Sequence, residues 1–149
     1  MNLVNACQRS ATKKSTWTMK NILIIEDDRK IATALAVRLK SAGYEATATY
    51  DALTGLDAAV KNPPHLVLLD ICLPVGNSST LFERIQTLLP TSTPIIFITA
   101  GKQAGFRQKA NELGAAGYFE KPYDVEELLA AIQNALNPQK AEEQHVRRL

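Results

Sequence analysis

Hydrophobic residues in this chain fall into two kinds of pattern. Ile22-Leu23-Ile24-Ile25, Leu66-Val67-Leu68-Leu69 and Ile95-Ile96-Phe97-Ile98 are unbroken apolar runs. Runs of that length without alternation read as strands buried on both faces, as in a parallel sheet. Each ends abruptly on polar chemistry: Glu26-Asp27-Asp28, Asp70 and Thr99-Ala100 respectively. The intervening segments repeat at helical spacing. Ile31, Leu35, Leu39 and Ala42 predict a helix over 28–42, with Gly43 as its stop. Asp51 can cap a helix reaching about Lys61, broken by Asn62-Pro63-Pro64. Leu81, Phe82, Ile85, Leu88 and Leu89 predict a helix near 79–89, and another is expected near 103–113, ended by Gly114. Val125, Leu128, Leu129, Ile132 and Leu136 mark a last helix, ended by Asn137-Pro138. Tyr44, Ala46, Ala48 and Tyr50 alternate as in an exposed edge strand, and Gly117-Tyr118-Phe119-Glu120 is a short final strand.

Five strands alternating with five helices predict an α/β fold with right-handed crossovers. The expected architecture is a doubly wound five-stranded parallel sheet with helices on both faces, in the flavodoxin-like order 2-1-3-4-5. In that order the first and third strands are neighbours. Asp27 and Asp70 then face each other across one crevice, at the carboxyl edge where such sheets bind ligands.

A chain of 149 residues suits one domain. The expected divisions are a disordered lead at 1–18, the folded body at 19–138 and a polar tail at 139–149. The lead is basic and free of acids, a character shared with transit peptides, and translation from Met19 is an alternative to Met1. No apolar run is long enough for a membrane span. Cys7 and Cys72 lie far apart, outside any metal-ligand spacing, and read as reduced thiols of a cytoplasmic protein. The net charge is +2. Residues 1–19 contribute +3 and 140–149 contribute +1, which leaves −2 for the body. That balance gives no basic nucleic-acid footprint.

Glu26, Asp27 and Asp70 gathered at one edge pose an electrostatic problem. Two carboxylates about 4 Å apart repel by roughly 4 kcal/mol at an effective dielectric near 20. They need a cation or raised pKa values. Oxygen-only donors suit Mg²⁺ or Mn²⁺ rather than zinc. The acidic triplet alone reads equally as a solvated helix start; Asp70 at the neighbouring strand end favours the metal. Lys121-Pro122 follows the last strand, where the lysine could meet a phosphoryl oxygen as a point charge. Asp28 is expected to cap a helix. The Cys72 sulfur is a poor ligand for a hard ion, and His65 and His145 receive no catalytic role.

The segments Ile-Leu-Ile-Ile-Glu-Asp-Asp, Leu-Val-Leu-Leu-Asp-Ile-Cys-Leu-Pro, Ile-Phe-Ile-Thr-Ala and Tyr-Phe-Glu-Lys-Pro resemble the receiver domain of two-component response regulators. The resemblance covers about residues 20–137, with the motifs in order at strand ends. It implies that Asp70 accepts a phosphoryl group from a histidine kinase or phosphotransfer protein. It further implies Mg²⁺ held by Asp27, Asp70 and the backbone carbonyl of Cys72, with Glu26 acting mainly through water. Thr99, the Ala100 backbone N–H and Lys121 would hold phosphoryl oxygens. Thr99 and Tyr118 would form a switch, reporting to a protein target on 103–113, 118–120 and 124–137. A phosphorylation-dependent dimer is one assembly this allows. Such a domain is a signalling phosphoacceptor rather than an enzyme acting on other substrates.

Ser78 departs from the family, which commonly has glycine eight residues after the acceptor; Gly76 or Asn77 could supply a positive φ instead. A haloacid-dehalogenase-like phosphohydrolase is a rival, but it needs an Asp where Cys72 stands. A dinucleotide-binding enzyme lacks its G-x-G-x-x-G. A pseudo-receiver acting without phosphorylation is the third alternative, set against a full complement of acceptor, metal and lysine positions. The expected protein is a stand-alone receiver, similar to the chemotaxis response regulator, that signals by protein contact, without nucleic acid or membrane partners.

Overall fold

The computed structural model describes residues 18–71, 78–90, 92–100 and 105–138. The expected tail at 139–149 and all of the expected lead except Thr18 lie outside them, as do Cys7, Cys72, Gly76, Asn77 and His145. Elements alternate as β1 (Asn21–Ile25), α1 (Arg29–Ser41), β2 (Glu45–Thr49), α2 (Ala52–Lys61), β3 (Leu66–Asp70), α3 (Ser78–Leu88), β4 (Ile95–Thr99), α4 (Phe106–Glu112), β5 (Gly117–Glu120) and α5 (Val125–Leu136). The five strands are parallel, in the order β2-β1-β3-β4-β5.

Each unbroken apolar run divides its side chains between the two faces, as a period of two requires. Leu23, Ile25, Val67, Leu69 and Phe97 join Leu56, Phe82, Ile85 and Ala110 on the face covered by α2, α3 and α4. Ile22, Ile24, Leu66, Leu68, Ile96 and Ile98 join Ala32, Leu35, Leu39, Leu128 and Ile132 under α1 and α5. β2 is the exposed edge: Ala46 and Ala48 are half-buried, and Tyr44 and Tyr50 pack partly against the α1/α5 core.

Three details depart from the expected boundaries. The helix near 103–113 is α4 of seven residues, beginning at Phe106 because Gly105 takes a left-handed φ of 80°; 103 and 104 lie outside the described residues. Ser78, expected in the loop, opens α3. Leu88, expected on the apolar face of α3, is 52% exposed, and Leu89 beyond the helix end takes the buried place. Among the described residues no helix is long and apolar enough to cross a membrane.

Candidate functional site

The reversal of strand order between β1 and β3 opens a crevice at the carboxyl edge of the sheet. β1 leads directly into Glu26, which is 3% exposed although it is a carboxylate. Its backbone N–H donates to the Thr49 carbonyl at 3.0 Å, which extends the β1–β2 pairing by one residue and holds Glu26 in the site. Asp27 follows, exposed, on the same edge. Asp28 turns away from this chemistry and caps α1, its Oδ1 accepting from the N–H groups of Lys30 (2.9 Å) and Ile31 (3.2 Å). Asp70 ends β3 and is 3% exposed.

One carboxylate oxygen from each of Glu26, Asp27 and Asp70 lies within 4.8 Å of the others. Lys121 enters from the other end of the crevice. Its Nζ donates to Glu26 Oε2 at 2.6 Å and to Asp70 Oδ2 at 3.1 Å. Its backbone N–H donates to the Thr99 carbonyl at 2.7 Å, fixing the end of β5 beside the end of β4, and its bond to Pro122 is cis. Thr99 is fully buried at the end of β4, and Ala100 is exposed just beyond it.

Burial pushes the Glu26 carboxyl up to about 7; the Lys121 ammonium pulls against this, and Asp70 adds to it. Burial alone would lower the Lys121 ammonium, but its hydrogen bonds to Glu26 and Asp70 leave it above the ordinary lysine value. Burial also raises the hydroxyl of Tyr123, two residues beyond Lys121. The donor set is entirely hard oxygen, two of the three residues buried, with charge in excess of what one lysine balances. Such a set fits Mg²⁺ or Mn²⁺ and not a soft metal. Glu26, Asp27 and Asp70 thus form an acidic pocket that could hold one such ion.

A family model described as the response regulator receiver domain matches residues 22–133. The chain belongs to that family. The transcriptional activator protein IrlR of Burkholderia pseudomallei is 38% identical over 128 residues, 86% of this chain and 55% of IrlR. The response regulator ArlR of Staphylococcus aureus is 38% identical over 121 residues, covering 81% of this chain and 54% of ArlR. This receiver chain thus spans about half the length of the curated relatives it matches. Among solved structures, a CheY-like receiver domain protein from Methanospirillum hungatei superposes with a TM-score of 0.76 at 29% identity, covering 84% of this chain and 99% of that one. The receiver family is a signalling family, and its fold is the flavodoxin-like one expected from the sequence.

The structure therefore brings Glu26, Asp27, Asp70 and Lys121 together, with Thr99 and Ala100 on the adjoining strand end. Cys72, expected to offer its backbone carbonyl, lies outside the described residues. Tyr118 stands on β5 opposite Phe97, two positions before the partner of Thr99, so both belong to the same face of the sheet. Two further contacts, one beside the site and one at the opposite edge of the sheet, have no signature in the sequence. Arg29, at the start of α1, lays its guanidinium 4.2 Å from the centroid of the Tyr50 ring just beyond β2. His65, given no catalytic role, accepts the Asn21 N–H on Nδ1 at 2.9 Å, while its own backbone N–H donates to the Asn21 carbonyl at 2.8 Å. It pins the starts of β1 and β3 together, a role no local motif announces.

Proposed function

We propose that Asp70 is the phosphoacceptor of a Mg²⁺-dependent receiver and that the chain signals through protein contacts. The observation that carries this reading is the position of Asp70: buried at a central strand end, within reach of two further carboxylates and bonded to Lys121 at 3.1 Å. A carboxylate oxygen of Asp70 attacks the phosphorus of a phosphohistidine on the donor. The P–O bond forms as the P–N bond breaks, and the imidazole leaves and takes up a proton. The product is an acyl phosphate.

In such a transfer the protein mainly positions the groups and offsets charge. Asp27 and Asp70 would hold Mg²⁺ together with the Cys72 carbonyl, and Glu26 would act from behind them. When bound, the ion offsets charge on the carboxylates and on the phosphoryl oxygens. Lys121 exchanges its present carboxylate partners for a phosphoryl oxygen, and Thr99 and the Ala100 N–H take the others. Thr99 is drawn towards the phosphoryl group and Tyr118 turns after it. The altered surface comprises α4, β5 and α5, where a protein target docks. The net charge of −2 on the body favours a protein over a nucleic acid at that surface. The cytoplasm, where ATP-fed kinases work, is the compartment that suits this chemistry.

The test is incubation with acetyl phosphate and Mg²⁺ followed by intact mass. A single phosphoryl addition is expected in the parent and none in Asp70→Asn. Undiminished labelling of that variant moves the acceptor elsewhere, and no labelling of the parent supports the phosphorylation-independent reading.

A further inference from the structure

The ring of Tyr118 has two neighbours in the first turn of α4. Phe106 is stacked against it, with centroids 6.0 Å apart and planes inclined by 28°. The Arg107 guanidinium carbon lies 4.9 Å from the Tyr118 centroid. Phe106 meets Phe97 edge-on at 5.5 Å, and Phe97 packs at a tilt on Phe82 at 5.2 Å. A chain of aromatic contacts therefore runs from α3 through β4 and α4 to β5. Arg107 stands at its outer end, itself exposed, over a half-buried ring. The left-handed Gly105 starts the helix at Phe106 and so sets both side chains beside β5.

A guanidinium over a phenol face is attracted by the negative charge of that face. The contact exists only while the ring lies against α4. We infer that Arg107 is a latch on Tyr118, favouring the arrangement described here and releasing the ring when it turns towards Thr99. The latch rests on the Thr99–Tyr118 switch proposed above and adds a positioning residue to it. A contact made in only one of two states shifts their balance by its own strength, and for an exposed cation–π pair that is about two- to fivefold. Removing it raises the apparent affinity of whatever binds the other state by the same factor. Simple charge predicts the reverse, since losing a cation weakens binding of an anion. The sign of the effect thus separates the two explanations.

The experiment uses the full chain, Mg²⁺ and beryllofluoride as the phosphoryl mimic. Arg107→Met is expected to bind the mimic about two- to fivefold more tightly than the parent. Arg107→Lys should stay near the parent, and Arg107→Met should have no further effect in a Tyr118→Leu background. By NMR, the Arg107 side-chain protons should carry an upfield ring-current shift that disappears when the mimic binds. An Arg107→Met affinity equal to or below the parent's overturns the latch, as does a ring-current shift that survives binding. If Thr99 and Tyr118 signals move in the parent while Arg107→Met changes nothing, the latch alone fails. If those signals do not move at all, the switch fails and the latch with it.

Discussion

Lys121 Nζ lies 2.6 Å from Glu26 Oε2 and 3.1 Å from Asp70 Oδ2, so one ammonium bridges two buried carboxylates contributed by β1 and β3. The lysine comes from just beyond β5, two strands away from β3. The bridge therefore ties together both sides of the crevice at the point where like charge would otherwise push them apart. It also places the lysine on the same oxygens that a divalent cation would seek.

Lys121→Met should accordingly weaken the metal-free protein at pH 8 by about 1–3 kcal/mol, the cost of leaving buried partners unsatisfied. Mg²⁺ should restore more stability to this variant than to the parent, because the ion has no ammonium to displace. Urea unfolding with chelator and with Mg²⁺ measures both. Equal midpoints for variant and parent under chelator would show that the bridge carries no net load.

The raised Glu26 carboxyl has a defined consequence for pH. Its value is about 7 in the folded chain against an ordinary 4.5, so between those values the folded state holds the extra proton. Stability of the metal-free protein then falls as pH rises through that window. Glu26→Gln cannot take part, so its stability relative to the parent should improve as pH rises from about 4.5 to about 7 and level off above. Denaturation in chelator at several pH values checks the sign. A relative stability that declines over the window would place the proton elsewhere.

How much of the molecule is legible in its residues depends on how local each signal is. The layered parallel fold follows from alternation, because runs such as Leu66–Leu69 have no polar residue and demand cover on both faces. The carboxylates are legible because each directly ends such a run. α4 is harder: its start depends on the backbone of Gly105, and only Ala110 of its seven residues is fully buried, so its apolar period is faint. His65 and Arg107 are out of reach for another reason. Their partners, Asn21 and Tyr118, are 44 and 11 positions away, and nothing in the residues between specifies either contact.

Asp27 and Asp28 are adjacent acids with separate tasks. Asp28→Ala should cost about 1 kcal/mol through loss of its cap on α1. It should leave Mg²⁺ affinity nearly unchanged. Asp27→Ala should do the reverse, with stability within about 0.5 kcal/mol of the parent because the side chain is exposed, and with Mg²⁺ binding sharply weakened. Thermal unfolding and metal titration of the two variants make the comparison. Equal Mg²⁺ affinity in Asp27→Ala and the parent would remove Asp27 from the ion's shell.

Gly55 sits inside α2, where alanine would normally be the better residue by about 1 kcal/mol. A Cβ at this position would come within 2.6 Å of Ile25 Cδ1 and 2.9 Å of Cγ1. Ile25 is fully buried, is the last residue of β1 and precedes Glu26. Its branched side chain has little rotamer freedom with which to retreat, and forcing a methyl into such packing costs about 1–3 kcal/mol. The overlap should win over the gain in helix propensity, so Gly55→Ala is expected to be destabilised by about 1 kcal/mol. Ile25→Val removes the nearest atom, Cδ1, and opens space. Valine keeps Cγ1 at 2.9 Å, so in that background Gly55→Ala should recover part of its loss, a coupling that a double-mutant cycle reads directly. If the two changes simply add, α2 is not held off β1 by this contact, and the glycine is there for some reason other than close approach of helix to sheet.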